Sequence, residues 1–316
     1  VLHPKIEWGA RVSKSMKGSR EPHKGVSDGA GLHIIVAEGS RLREHPTTMV
    51  IQPRKPKRSW RLGVVSFLNA KPLIAGLDAD GAVELIHDVP SRLAGLLDAG
   101  TVDAALVPVI DLAQPHRDWQ VVSDACIGCD GETLTVRVFS RVAPEAIRRL
   151  HVDGDSHTSA ALAAIIWREM YGRRLEMLPF TGRETVEECE AVLLIGDKVV
   201  NNTLIDYDIE TDLGSAWKSL TSLPFVFAVW AAPRGVQVSG LASRLSRARD
   251  AGVQSAELIA ADFGPGLNWP VALAKRYLTK RLKFTLGPRQ QAGMTKFLEL
   301  ATQYGLIAAR RDVIVA

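Results

Sequence analysis

From Arg61 onward, short apolar strands alternate with helices, and this alternation restricts the possible folds more than any other feature. The stretch RLGVVSF, which begins at Arg61, is predicted to be a buried strand. VPSRLAGLLDAG follows as a helix that begins near Pro90 and ends at Gly100, and VDAALVPVI is a second apolar strand. Because strands in such an order pair in parallel, we predict an α/β protein whose sheet is covered by helices.

A second α/β unit follows, in which the helix SHTSAALAAIIWREMYG precedes the apolar strand AVLLIGD. We expect residues 60–140 and 227–316 to form lobe 1 and residues 141–226 to form lobe 2. The strands TLTVRVFS and PFVFAVWAA would then cross between the lobes, and WPVALAKRYLTKRLKFTLG is predicted to be helical. Two lobes joined by two crossings enclose a cleft, which is the usual position of a ligand site.

Residues 1–59 differ from the rest of the chain in composition. They hold 12 Lys/Arg and 5 Asp/Glu, a net charge of +7, whereas the remainder holds 27 and 30, a net charge of −3. The segment is rich in Gly, Ser and Pro and has little periodicity, so we predict a disordered, basic N-terminal extension. Because the basic charge lies in this extension and not on the folded body, nucleic-acid binding is not indicated.

Several other classes of function are not indicated. No apolar stretch is long enough to span a membrane, and the first residues lack the apolar region of a signal peptide, so we expect a cytoplasmic protein. Cys126 and Cys129 have the spacing of half a zinc site, but there is no second CxxC and no HxxxH, so no metal is predicted. The sequence also lacks GxGxxG, GxxxxGK[ST] and GxSxG, which argues against a nucleotide cofactor and serine-hydrolase chemistry.

Polar residues follow several of the predicted strands, where ligands of α/β sheets bind. Hydroxyl groups and free N–H groups at the start of a helix, as in the stretch DSHTS, bind carboxylates or phosphates. On this basis the candidate site residues are Ser66, Asn69, Thr135, Ser156, His157, Thr158, Ser159, Gly196 and Asp197.

Each of these residues also has a structural interpretation. Ser and Thr commonly cap helices, and Asn69 with Pro72 three residues later is typical of a turn. Gly196 and Asp197 suit a strand-to-helix turn, Thr135 suits a strand, and His157 suits an exposed position. The residues alone leave the choice open.

An ordered set of stretches resembles the chorismate dehydratases of the futalosine route to menaquinone. The set spans about residues 61–307 and consists of GVVSFLNAKPL, DAALVPV, DGDSHTSAALA, LLIGDKVV, DLGSAWKSLTSLPFVFAVW and YLTKRLKFTLGPRQQAGMTKFLELATQYGLI. The resemblance implies a two-lobed fold of the type 2 periplasmic-binding-protein kind with a ligand cleft between the lobes. It also implies a carbon–oxygen lyase that converts chorismate, a dicarboxylate, to 3-[(1-carboxyvinyl)oxy]benzoate and water without metal or organic cofactor.

The resemblance also suggests roles for individual residues. Asn69 matches the family's asparagine beside the substrate, and Thr135 stands where the family has a serine, so both are predicted to be catalytic. Ser156, Thr158 and Ser159 match an SRTS-like pattern in which His157 replaces a frequent arginine. We predict that the substrate contacts are made by Ser66, Ser156, His157, Thr158, Ser159, Gly196 and Asp197.

The matched stretches contain no strong general base. We therefore expect the enolpyruvyl carboxylate of the substrate to remove the ring proton while the protein orients it. Two other functions stay open, namely a carboxylate-binding protein of the same fold and the 1,4-dihydroxy-6-naphthoate synthase of the same pathway. SFLNAKP and SLPFVFAVW resemble the dehydratase more than the synthase.

Overall fold

The structure is a computed structural model that describes residues 59–181, 189–201 and 207–308. Nearly all of the predicted N-terminal extension lies outside the described residues. The strands are β1 (Trp60–Val65), β2 (Val83–Asp88), β3 (Ala104–Pro108), β4 (Trp119–Cys129), β5 (Val136–Ser140), β6 (Arg149–Asp153), β7 (Glu176–Phe180), β8 (Ala191–Ile195), β9 (Ile209–Asp212), β10 (Phe225–Pro233) and β11 (Leu282–Thr285).

The helices surround two sheets. They are α1 (Pro90–Asp98), α2 (His157–Tyr171), α3 (Asp197–Val200), α4 (Leu213–Thr221), α5 (Leu241–Gln254), α6 (Ala256–Phe263), α7 (Val271–Arg276) and α8 (Pro288–Gln303). Short 3-10 helices occupy Leu68–Ile74, Val109–Ala113, Pro144–Ala146 and Pro265–Leu267, and a π-helical turn occupies Tyr277–Arg281. None of these helices combines the length and the apolarity that crossing a lipid bilayer requires.

The first sheet, which we call lobe 1 together with its helices, has the strand order β11-β4-β10-β3-β1-β2. Strand β1 pairs in parallel with β2 and β3, as the strand–helix–strand order predicts. Strand β10 runs antiparallel between β3 and β4. The chain therefore returns to the middle of this sheet after it has built the second one.

The second sheet, which we call lobe 2 together with its helices, has the order β7-β6-β8-β5-β9. Strand β6 is parallel to β7 and β8, and β5 is antiparallel to β8 and β9. Because β5 belongs to this sheet, the predicted lobe boundary at residue 140 falls too late. The chain leaves lobe 1 at the end of β4, where Gly131 and Leu134 adopt positive φ angles that interrupt the extended backbone.

Strand β11 corrects another prediction, since it lies in a stretch expected to be helical. Leu282 and Phe284 are buried, whereas Lys283 and Thr285 are exposed, which is the alternation of a half-buried strand. The strand pairs with β4 and thereby extends the edge of the first sheet. Pairing with an available edge outweighed the helical pattern that precedes it along the chain.

The two lobes share an apolar core at the start of β10, where the chain returns from lobe 2 to lobe 1. Phe225 lies edge-on to Trp217 of α4 and to Phe297 of α8, with ring centroids 5.3 and 5.1 Å apart. Such pairs contribute about 0.5–1.5 kcal/mol beyond the area that they bury. Helix α8 packs closely against the backbone of Pro224 because Gly293 has no side chain. A Cβ on Gly293 would lie 2.0 Å from the carbonyl oxygen of Pro224. These contacts hold the two sheets together at the start of β10.

Candidate functional site

A cavity lies between the two lobes. It is lined at the ends of β1 and β3 by Val65 and Pro108, and on the lobe 2 side by Val136 and Ile195. Its polar lining residues are Asn69, Thr133, Thr135, Ser156, Ser159 and Tyr277. Among the described residues that line it, none is charged. The cavity is therefore an apolar pocket with a small number of convergent hydrogen-bonding groups.

The predicted site residues divide into two groups. Five of them line the cavity, namely Asn69, Thr135, Ser156, Ser159 and Gly196. The other four, which are Ser66, His157, Thr158 and Asp197, lie outside its lining. The roles of both groups in binding or catalysis stay predictions.

Asn69 lies on the 3-10 helix Leu68–Ile74 and not in the open turn that Pro72 suggested. Its Oδ1 is buried and has no hydrogen-bond partner in the part of the chain that the structure describes. Leaving a buried acceptor unpaired costs about 1–3 kcal/mol. A ligand that donates a hydrogen bond to Asn69 would recover this free energy.

Thr135 and Tyr277 form a buried pair of hydroxyl groups. Thr135 Oγ1 lies 2.7 Å from the phenol oxygen of Tyr277, and the two side chains are 2% and 1% exposed. Burial raises the pKa of Tyr277 far above its ordinary value, so the phenol keeps its proton. The pair therefore offers neutral donors and acceptors.

Asp212 holds the segment that carries the cavity threonines. Its carboxylate accepts hydrogen bonds from the backbone N–H groups of Thr133 at 3.0 Å and of Leu134 at 2.8 Å. It also caps α4 by accepting from Ser215 N–H at 2.9 Å. Leu134 has a φ of +73°, which an L-residue rarely adopts, so the carboxylate stabilises a strained backbone that directs both threonines to the cavity.

The N-terminus of α2 reaches the cavity through Ser156 and Ser159. Ser156 Oγ accepts from Ser159 N–H at 3.3 Å, and the two hydroxyl oxygens are 3.0 Å apart. The capping interpretation is therefore correct for Ser156, and the same residue also lines the cavity. The positive end of a helix of 15 residues attracts anions such as carboxylates.

Gly196 lines the cavity where its backbone meets Phe67. It has φ +62° and ψ −145°, and a Cβ there would lie 2.6 Å from the ring of Phe67. Its N–H donates to the carbonyl oxygen of Thr135 at 2.9 Å. Only glycine permits this approach, which packs the end of β8 against the entry to the 3-10 helix of Asn69.

Asp197 connects the lobes from outside the cavity. Its carboxylate accepts hydrogen bonds from Leu68 N–H at 3.3 Å and from Trp269 Nε1 at 3.0 Å. Burial raises the pKa of Asp197 above its ordinary value, although both of these hydrogen bonds lower it. The geometry therefore makes Asp197 a support for the elements that carry the site.

Thr158 and His157 also join the lobes. Thr158 Oγ1 accepts from Ile110 N–H at 3.2 Å, and His157 Nδ1 lies 3.0 Å from the carboxylate of Asp111. Both contacts attach α2 to the 3-10 helix that follows β3. Ser66 lies at the end of β1, where its N–H donates to the carbonyl oxygen of Asp88 at 3.1 Å.

Cys126 and Cys129 lie on β4, and both are buried and free. Burial raises the pKa of Cys126 to about 12, so its thiol stays protonated. Within the described ranges, no group of three His, Cys, Asp or Glu side chains is arranged to hold a metal ion.

The predicted set of site residues omits several residues that line the cavity. Tyr277 and Thr133 supply polar groups, and Phe67, Ile127 and Phe227 supply apolar surface. Thr133 shares the alternating TLTVRVFS pattern with Thr135, so a shared face was a usable signal. Tyr277 lies far along the chain in a stretch predicted to be an ordinary helix, which carried no such signal.

Solved structures with the same architecture identify the fold. A protein from Archaeoglobus fulgidus superposes with a TM-score of 0.61 at 15% identity, covering 79% of this chain and 98% of that one. The periplasmic aliphatic sulphonate binding protein SsuA from Escherichia coli has a TM-score of 0.57 at 13% identity, covering 82% and 96%. The chain thus has the two-lobed periplasmic-binding-protein fold, which confirms the predicted fold class.

Within that fold, the chain belongs to the menaquinone biosynthesis family, whose model matches residues 60–303. A curated relative is the chorismate dehydratase of Thermus thermophilus, which is 28% identical over 260 residues, or 77% of this chain and 95% of the relative. The matches cover the described body of the protein and confirm the resemblance found in its sequence.

Proposed function

We propose that this protein is a chorismate dehydratase, which removes water from chorismate to give 3-[(1-carboxyvinyl)oxy]benzoate. Its family and its Thermus thermophilus relative support this proposal. The structural observation that carries it is the unpaired Oδ1 of Asn69, which lines the same uncharged cavity between the lobes as Thr135. Such a cavity suits a ligand whose ring hydroxyl needs both an acceptor and a donor.

The reaction is a net loss of water. The electrons of a ring C–H bond form the new double bond, and the electrons of the C–O bond leave with the hydroxyl oxygen. The departing hydroxide and the released proton make up the water, and the ring becomes aromatic, which strongly favours the product. Because nothing is oxidised or reduced overall, the proposal includes no electron-carrying cofactor.

The cavity residues have distinct roles in this proposal. Asn69 Oδ1 accepts a hydrogen bond from the ring hydroxyl of the substrate and orients its C–O bond. Thr135 donates a hydrogen bond to the same oxygen, and this bond strengthens as negative charge develops during departure. Ser156, Ser159 and the N-terminus of α2 bind a substrate carboxylate.

The proton acceptor in the proposal is the substrate's own enolpyruvyl carboxylate. No carboxylate or imidazole belongs to the described lining of the cavity, so the protein's part is to hold this group against the ring proton. Asp197, His157 and Thr158 support the lobes instead of contacting the substrate. The predicted cytoplasmic location belongs with this proposal, and the three buried cysteine thiols are compatible with a reducing compartment.

Incubation of the purified protein with chorismate tests the proposal directly. We expect an aromatic ultraviolet absorbance to appear together with a product whose mass is that of chorismate less one water. The reaction should proceed unchanged in the presence of a chelator. Tight binding of chorismate without any product would contradict the proposal.

A carboxylate-binding protein is the second candidate, because similar structures include binding proteins such as the alkanesulfonate-binding SsuA of Xanthomonas axonopodis, bound to MOPS. That relative has a TM-score of 0.58 and 13% identity, which supports the fold alone. Calorimetric binding of chorismate and its product analogues with no turnover would favour this candidate. The naphthoate synthase of the same pathway would instead leave chorismate unbound and unchanged.

A further inference from the structure

Tyr277 occupies an unusual position beside the cavity. It begins the π-helical turn Tyr277–Arg281, and such turns are rare and often lie at functional sites. Its ring stacks on Trp269 with the ring centroids 4.9 Å apart and an interplanar angle of 21°. The phenol oxygen is thereby held at the cavity wall, beside Thr135 and Asn69.

The Tyr277 phenol shares a buried hydrogen bond with Thr135. The phenol oxygen lies 2.7 Å from Thr135 Oγ1, and either hydroxyl can donate in this bond. Asn69 also lines the cavity, and its Oδ1 has no partner in the described chain, so the phenol does not donate to it. Thr135 is therefore the group that the phenol holds.

This hydrogen bond restricts how the Thr135 hydroxyl can act on a ligand. A hydroxyl group has one donor and two acceptor positions, so Thr135 binds Tyr277 with one of them and keeps the others for a ligand. Thr135 lines the cavity, and the phenol limits the rotation of its hydroxyl there.

We propose that Tyr277 is a positioning residue that fixes the orientation of the Thr135 hydroxyl toward the substrate hydroxyl. The inference rests on the proposed dehydratase function and assigns to it a residue outside the predicted site. Tyr277 acts through Thr135 and transfers no proton in the reaction. Its loss should therefore reduce the rate of the bound complex more than the binding of substrate.

The principal variant is Tyr277→Phe, which keeps the ring and its stacking on Trp269 and removes only the hydroxyl. We expect kcat to fall by about 10- to 100-fold, the effect of a misoriented catalytic group, and KM to change by less than about threefold. The matched control is Tyr207→Phe, since Tyr207 is also buried and donates to a carbonyl oxygen, that of Cys189 at 3.2 Å. Tyr207 packs in a separate apolar cluster, so its variant should keep the wild-type kcat.

A double-mutant cycle with Thr135→Val separates orientation from a general loss of packing. If Tyr277 acts through Thr135, the double variant should be no slower than Thr135→Val alone. Multiplicative losses in the double variant, or a Tyr277→Phe variant with the full wild-type kcat, would overturn the inference and leave the dehydratase proposal intact. A wild-type protein that does not convert chorismate would overturn both.

Thermal unfolding keeps the test interpretable. Tyr277→Phe should unfold within a few degrees of Tyr207→Phe, because each variant loses one buried hydrogen bond worth about 1 kcal/mol. If Tyr277→Phe does not fold, Trp269→Leu is the second variant, since it removes the ring on which Tyr277 stacks and leaves the phenol itself in place. Trp269→Leu should lower kcat by more than it changes KM, and a folded Trp269→Leu variant with the wild-type kcat would overturn the inference.

Discussion

The carboxylate of Asp197 accepts a hydrogen bond from the backbone N–H of Leu68, with both carboxylate oxygens 3.3 Å from the nitrogen. Asp197 begins α3 in lobe 2, whereas Leu68 begins the 3-10 helix of lobe 1 that carries Asn69. The same carboxylate accepts from Trp269, whose ring stacks on Tyr277. One side chain outside the cavity therefore holds two elements that line it.

Asn69→Ala should abolish most of the catalysis while the protein stays folded. The variant removes the acceptor that orients the substrate hydroxyl, and we expect kcat/KM to fall by about 100-fold or more. The matched control is Asn201→Ala, because Asn201 is exposed and its amide donates to Leu267 outside the cavity lining. Steady-state rates with chorismate check the prediction, and full turnover by Asn69→Ala would remove Asn69 from the mechanism.

Asp197→Ala should destabilise the protein without changing any lining residue. The variant leaves Leu68 N–H and Trp269 Nε1 without their acceptor, which costs about 1–3 kcal/mol of the free energy of unfolding. Urea denaturation measures this loss, with Asp262→Asn as the control because Asp262 is exposed. Equal stability of Asp197→Ala and the wild type would mean that the bonds across the cleft contribute nothing to folding.

The pH dependence of stability should identify Asp197 by its sign. Burial raises its pKa above the ordinary 3.8, so the folded protein retains a proton that the unfolded chain releases. The contribution of this raised pKa is fully present below pH 3.8 and is lost as pH rises through the raised value. The stability of the wild type relative to Asp197→Ala should therefore decrease with rising pH in that window. Parallel urea titrations of the two proteins measure the difference, and an increase would show that the pKa is lowered instead.

Gly196→Ala should damage both stability and substrate binding. The new Cβ would lie 2.6 Å from the ring of Phe67, so the ring would have to move at the cavity wall. Gly76→Ala is a matched control, because Gly76 also has a positive φ, +74°, but a Cβ there meets nothing within 4 Å. Backbone strain should cost each variant about 1–3 kcal/mol, and only Gly196→Ala should raise KM. A normal KM in Gly196→Ala would show that Phe67 does not shape the binding site.

The strands β1, β3, β8 and β10 were predictable because their residues are mainly apolar and the elements between them have clear ends. The helix α2, for example, is preceded by Ser156 as its cap and followed by Gly172 in the left-handed conformation. Strand β11 was not predictable as such from the helical stretch around it. Its alternation extends over only four residues, and pairing with the edge of β4 decided its conformation.

Candidate site residues that are adjacent along the chain do not all line the cavity. Ser156, His157, Thr158 and Ser159 are adjacent along the chain, yet only Ser156 and Ser159 line the cavity. Residues three apart in a helix lie on one face, whereas the two between them turn toward the other lobe. Thr158 consequently binds the backbone of Ile110, and His157 binds Asp111.

The sequence by itself determined the α/β class, the two-lobed organisation and the family, because these follow from patterns of neighbouring residues and from ordered motifs. Only the tertiary structure decided which polar groups meet. Thr135 and Tyr277 are 142 positions apart, and their hydroxyls come within 2.7 Å because the segment that enters β5 and the π-helical turn converge between the lobes. Such convergence depends on how the sheets and helices pack, and no local pattern of residues encodes it.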